Sequence, residues 1–355
     1  MDKIRAYLDE RLGLEGLLEF MSHKKVPIHR HSFWYYWGGI TLICFIVQIL
    51  TGILLLVYYR PGQGAYESVR SITYDINFGW LIRSAHNWSA SLFLFSAFTH
   101  MFSVYFMKAY RAPRELGWWS GMILLALGML FGFSGYLLPM DDLAASATKV
   151  GMAMLDILPK VGPWAADLMR GGVTVGDPTV QRFFALHVVV LPMIFMPLLG
   201  FHLWLVQKHG NAVPPSEYDT PVEERKSVPF FPNFMIKDLA MWLIALNVIA
   251  MLASLFPFQL GEQADPLKPA PPGIHPEWYF MSAFQVLKIV GKIIPGTPGE
   301  VVGMGGFTLG LILWVLIPLY DGKTESGVKA RNAHYFGLLA LGVLIITTIW
   351  GYAAL

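Results

Sequence analysis

The stretch HNWSASLFLFSAFTH, His86–His100, carries two histidines 14 residues apart inside an otherwise apolar run. A second stretch, HVVVLPMIFMPLLGFH, His187–His202, carries two more, 15 apart. On a helix the first pair is separated by a rise of about 21 Å and about 40° of rotation, so both side chains share a face. The second pair is separated by about 22 Å, with an offset near 60° in the other sense. Such a rise covers much of the roughly 30 Å apolar core of a bilayer. Ionisable side chains within membrane-crossing runs are expensive and mark functional positions.

The rest of the chain agrees with a membrane setting. Of 355 residues, 55% are hydrophobic, 14% aromatic and only 14% charged, with a formal net charge of +2. Soluble domains run near a quarter charged, so this composition excludes intrinsic disorder and argues against a soluble enzyme. The balance of 26 basic and 24 acidic residues argues against nucleic-acid binding. The single cysteine, Cys44, excludes a disulfide framework, an all-cysteine iron–sulfur site and CxxCH haem attachment.

The expected fold class is an all-α polytopic membrane protein. Seven runs are long and apolar enough to span: 33–57, 79–107, 117–138, 183–206, 235–256, 302–320 and 334–354. Residues Met1–Ser22 read as an amphipathic surface helix and not a cleavable signal. With the N-terminus cytoplasmic, the inner side holds 16 Lys/Arg against 10 outside, in agreement with the positive-inside rule. Two outer loops, 139–182 and 257–301, are too long to be connectors and are expected to be ordered at the outer surface. The second holds Pro266, Pro269, Pro271, Pro272, Pro276, Pro295 and Pro298. The stretch 207–233, with Pro214, Pro215, Pro221, Pro229 and Pro232, reads as an exposed inner linker. The chain thus divides into a surface segment (1–32), a four-helix unit (33–210), a linker (211–233) and a three-helix unit (234–355).

Alternating orientation makes the second and fourth spans parallel. His86 then faces His187 near the outer leaflet, and His100 faces His202 near the inner one. Two stacked pairs suit two haems with bis-histidine axial ligation, an arrangement that favours electron transfer over oxygen binding. The alternative for each histidine is an interhelical hydrogen bond. Glycines add a check: Gly38 and Gly52 in the first span, and Gly121 and Gly135 in the third, are again 14 apart. They fall at the depths of the two histidine pairs, where close backbone approach would admit the edge of a flat macrocycle. Small-residue helix packing is the plainer reading.

These residues resemble the cytochrome b/b6 family, the dihaem subunit of quinol:cytochrome c or plastocyanin oxidoreductases. The resemblance covers nearly the whole chain. It rests on QILTG (Gln48–Gly52), NFGWLIRSAHNWSAS (Asn77–Ser91), PREL (Pro113–Leu116), GYLLP (Gly135–Pro139), PEWY (Pro276–Tyr279) and the two histidine pairs. The 15-residue gap, PREL and the end after a seventh span are like the b6 branch, with its two usual polypeptides fused. Several positions depart from the pattern. Tyr36 stands where the b6 branch has a haem-linking cysteine, so any extra haem there is not expected to be covalent. Met140 replaces a tryptophan after LLP, and Ser103 replaces an arginine. IKD at Ile236–Asp238 is like the mitochondrial branch.

The resemblance implies two non-covalent b haems on His86/His187 and His100/His202, with Gly38, Gly52, Gly121 and Gly135 beside them. Arg83 on the outer side, and Arg114 and Lys208 on the inner, are candidates for haem propionates. For these basic residues interfacial snorkelling is the alternative. The resemblance also implies quinol oxidation at an outer site of Tyr136, Pro276, Glu277, Trp278 and Tyr279, with Glu277 accepting a proton. Quinone reduction is implied at an inner site with Lys237 and Asp238. Lys208 and His209 are weaker candidates there. Expected partners are a Rieske iron–sulfur protein, a c-type cytochrome or similar acceptor, the lipid bilayer and a second copy of the complex. A bacterial-type cell membrane is the expected location. The rivals are a dihaem membrane anchor of a dehydrogenase and a proton-coupled transporter.

Overall fold

The computed structural model describes residues 2–13, 16, 24–156, 161–265, 274–322 and 328–354. Part of the N-terminal surface segment, and Pro266, Pro269, Pro271 and Pro272 of the second long outer loop, lie outside the described residues. The described N-terminal piece is α1 (Asp2–Leu12), followed by β1 (Lys25–Pro27). Next come α2 (Tyr36–Leu56), α3 (Ala65–Tyr74), α4 (Gly79–Phe106) and α5 (Glu115–Tyr136). The outer loop then forms α6 (Asp142–Asp156) and α7 (Val161–Arg170). Beyond it lies the long helix α8 (Asp177–His209), followed by β2 (Ser227–Pro229) and α9 (Met235–Leu255). The chain continues through α10 (Trp278–Ile293), α11 (Thr297–Val315), α12 (Ile317–Asp321) and α13 (Val328–Ala353).

Among the described residues seven helical stretches are long and apolar enough to cross a membrane. They coincide with the seven expected runs. The protein is therefore an integral multi-pass membrane protein, as its scarcity of charge requires. The sixth span stops at Val315, short of the expected 320. Pro318 explains this, because a proline ring clashes with the carbonyl four residues earlier and offers no N–H to continue the ladder. Among the described residues, the first of the two long loops forms α6 and α7, and the second contains α10. The inner linker is less free than the reading of an exposed tether: Val26 pairs with Val228 in a two-stranded antiparallel ladder, and Val26 is buried.

The core explains how two histidine tiers stay apart. Seven residues into each 14-residue repeat stand Phe45, Phe93 and Gly128, and Phe195 holds the corresponding place on α8. Phe45 packs against Phe195 at 4.4 Å and Phe93 at 5.8 Å between ring centres. Gly128 is needed there, because a Cβ would lie 2.8 Å from the Phe93 ring. Phe45, Phe93 and Phe195 join Cys44, Leu94, Leu124 and Leu191 in one buried cluster. Cys44 is thus a small core residue, as its place within an apolar span suggests.

The last three spans dock on the first four. Helix α9 packs against α2 and α4, and α10 against α11 and α13. One joint between them is built on Tyr105, which stacks on Trp314 at 4.0 Å. Nearby, the fully buried Asp321 accepts from Tyr110 Oη at 2.6 Å and Arg111 Nη2 at 2.8 Å, and pairs with Lys108 Nζ at 3.0 Å. Burial alone would raise the Asp321 carboxyl, but bonds from Tyr110, Lys108 and Arg111 hold it below the usual carboxylate range.

Candidate functional site

Each candidate histidine meets a glycine on a neighbouring helix. A Cβ built on Gly52 would stand 3.4 Å from His86 Cε1, on Gly135 2.8 Å from His187, on Gly38 3.1 Å from His100 and on Gly121 3.2 Å from His202. The glycines lie at the depths expected from the 14-residue spacing. What they clear in this structure is the edge of the imidazole itself.

The residue before three of these glycines completes the grip. Thr51 Oγ1 lies 2.9 Å from His86 Nδ1, Ser134 Oγ 3.0 Å from His187 Nδ1, and Ser120 Oγ 2.9 Å from His202 Nδ1. Each hydroxyl donates its own proton to a helix carbonyl: Thr51 to Val47, Ser134 to Phe131 and Ser120 to Gly117. A hydroxyl that gives its proton to that carbonyl accepts from the ring, an arrangement in which Nδ1 carries the proton and the Nε2 lone pair is free. At the fourth position Trp37 precedes Gly38, and His100 Nδ1 is buried without a partner.

These three hydroxyls were not singled out from sequence. The signal available was a Thr-Gly or Ser-Gly dipeptide at 51–52, 120–121 and 134–135. The wide π turn at Leu186–Val190, which contains His187, was also missed. It takes up the extra residue of the 15-residue gap, since a π turn inserts one residue into an α-helix.

The His86/His187 pair fits a shared ion. A metal-bound imidazole nitrogen stands about 2 Å from its ion and the ring centre about 1 Å behind, so two axial rings are spaced about 6 Å. The His86 and His187 ring centres are 6.5 Å apart. His100 and His202 form the second tier, each ring beside its own glycine, Gly38 and Gly121. Among the described residues no three His, Cys, Asp or Glu side chains converge. Two imidazoles alone suit a macrocycle that brings its own remaining ligands.

Glu277 stands at the N-cap position of α10, with no capping bond from its side chain. Burial raises its carboxyl above the usual range, and nearby His275 opposes that rise. Tyr279 is buried, and its hydroxyl sits against the third span at Gly132. Burial first, then Glu277 and Tyr136, push the Tyr279 phenol up, so the structure brings these three together. Trp278 packs edge-on against Phe98. Pro276 accepts at its carbonyl from His275 Nδ1 at 3.0 Å.

The basic candidates are placed on backbone carbonyls. Arg83 donates to Phe258 O at 2.8 Å and Gln259 O at 3.4 Å, holding the second long outer loop over α4. Arg114 donates to His209 O and Gly210 O at the end of α8. Lys208 is exposed and lies 5.0 Å over the Trp204 ring. Asp238 abuts Gly39, and a Cβ there would meet its carboxylate. Lys237 is exposed. Tyr36 stacks on Phe234 at 5.0 Å.

Comparison with known proteins gives consistent matches. Residues 91–263 match the family model described as cytochrome b(N-terminal)/b6/petB, and residues 263–354 that described as cytochrome b(C-terminal)/b6/petD. The chain is 43% identical over 357 residues to a cytochrome bc complex cytochrome b subunit of Chlorobaculum thiosulfatiphilum, covering 99% of this chain and 81% of that one. It is 40% identical over 215 residues to cytochrome b6 of Stigeoclonium helveticum, covering 60% of this chain and 100% of that one. A solved structure titled hyperthermophilic respiratory Complex III superposes with a TM-score of 0.81 at 28% identity, over 98% of each chain.

Proposed function

The chain belongs to the cytochrome b/b6 family, and on that premise we propose that it is the cytochrome b subunit of a bc-type complex that oxidises quinol. His86 and His187 would hold one b haem and His100 and His202 a second, all four through Nε2. When bound, the two haems would supply one-electron carriers at two depths of the bilayer. The observation that carries this reading is the repeated grip on the imidazoles: a glycine at every ring edge and a hydroxyl at three of the four Nδ1 atoms.

Oxidation of a quinol releases two protons and two electrons. Glu277 would accept a quinol proton in a pocket at the start of α10, where burial raises its carboxyl above the usual range. Tyr136 and Tyr279 shape that pocket, with Pro276 and Trp278 fixing the start of α10. One electron would leave to a Rieske protein and then to a c-type cytochrome or similar acceptor, and the other would cross to the inner side. There Asp238, with Lys237 nearby in sequence, would hand a proton to quinone. Arg83 and Arg114 keep N–H donors beyond those used on carbonyls, so each can also meet a haem propionate. A cytoplasmic N-terminus in a bacterial cell membrane, a dimeric complex and the division at the 211–233 linker complete the proposal.

The test is the dithionite-reduced spectrum of the purified protein together with a His202→Leu variant. Two b-type haems are expected in the wild type and one, the outer, in the variant. A variant that keeps both haems overturns the pairing. A wild type without haem overturns the family chemistry and favours transport.

A further inference from the structure

The four imidazoles are not held alike. Both outer-tier rings, His86 and His187, offer Nδ1 to a hydroxyl, whereas in the inner tier only His202 does. At His100 the place of the hydroxyl is taken by Trp37, whose indole can only donate and so cannot replace an acceptor. The three hydroxyls hold their rings alike, at 2.9, 2.9 and 3.0 Å.

We propose that Thr51, Ser120 and Ser134 are positioning residues that fix three ligand imidazoles in the Nδ1–H form, and that the missing fourth hydroxyl sets the inner haem apart from the outer one. The proposal rests on the haem-ligand reading above. Its physical basis is that an acceptor on the far nitrogen fixes ring orientation and raises the basicity of the ligating nitrogen. A more basic ligand favours the ferric over the ferrous ion and so lowers the reduction potential. Two such ligands act on the outer haem and one on the inner. The chain itself thereby lowers the outer potential relative to the inner and favours electron movement inward.

Thr51→Val keeps the shape of the side chain and removes the acceptor; Thr51→Ser restores it. In the intact complex, redox titration of each b band is expected to show the outer haem moved upward in potential in Thr51→Val and returned in Thr51→Ser. The inner haem stays where it was. Ser120→Ala is expected to raise only the inner haem, and Ser134→Ala only the outer. Should Thr51→Val lose haem, a fall in outer-haem affinity of about 10- to 100-fold that Thr51→Ser reverses supports the same role. An outer potential unchanged in both Thr51→Val and Ser134→Ala, or a Thr51→Ser variant that fails to restore it, overturns the proposal. A wild-type complex without b haems would instead overturn the ligand reading beneath it.

Discussion

Gly135→Ala and Gly52→Ala place the same methyl group beside the two ligands of one proposed haem, yet they should differ sharply. At Gly135 the new Cβ would lie 2.8 Å from His187 Cε1, and at Gly52 3.4 Å from His86 Cε1. Ordinary contact begins near 3.4 Å, so the first methyl overlaps its ring by about 0.6 Å and the second does not. His187 has little room to retreat. Its Nδ1 is tied to Ser134 at 3.0 Å, and Phe131 stands edge-on at 5.5 Å between ring centres. Overpacking of this kind costs about 1–3 kcal/mol. Against it, alanine improves either helix by about 1 kcal/mol over glycine. Gly52→Ala should therefore hold the outer haem as well as the wild type or slightly better. Gly135→Ala should hold it about 5- to 150-fold less tightly than Gly52→Ala, the equivalent of the 1–3 kcal/mol difference between them. Haem per polypeptide and the temperature of haem release, read in detergent for the outer b band, measure this directly. If Gly52→Ala were as damaging as Gly135→Ala, the glycines would be clearing something other than the imidazole edge, such as the macrocycle or a neighbouring helix. Equal retention in both variants would refute the clash outright.

Glu277→Gln should slow quinol oxidation about 10²- to 10⁴-fold while leaving both b bands intact. The acceptor must be ionised, and burial raises its carboxyl, so wild-type turnover should climb with pH through a window above the usual carboxylate range. The glutamine variant should lack that limb; an unchanged pH profile would remove Glu277 from the proton path. Asp321→Asn should leave Lys108 and Arg111 without their buried counter-charge. Breaking such a pair costs about 3–5 kcal/mol, so the detergent-purified protein should melt earlier with normal haem spectra. Because the folded carboxyl is held low, its contribution is complete above the unfolded carboxylate pKa. It is lost as pH falls through the depressed folded value. Wild type and variant should therefore converge in stability at acid pH, and a gap that persisted there would show another cause.

What could be read without coordinates was whatever depends on position along one helix. The depth of each histidine and glycine follows from a rise per residue, and the two tiers emerge from that arithmetic. The mid-layer of Phe45 and Phe93 was open to the same counting. The hydroxyls at Thr51, Ser120 and Ser134 were not, because which side chain meets Nδ1 depends on how neighbouring helices are rotated about their axes. Asp321 was hidden for a similar reason: its cations come from a loop about 210 residues earlier in the chain. The fourth span shows the limit most clearly. A straight α-helix would set His202 about 60° away from the face of His187. The π turn at Leu186–Val190 absorbs one residue and returns this helix to the 14-residue repeat of its neighbours. Counting alone cannot locate such an insertion, since any turn between the two ligands could hold it. Placed at His187 itself, it sets the ring of the ligand while leaving the turns that carry Phe195 and His202 in regular α geometry.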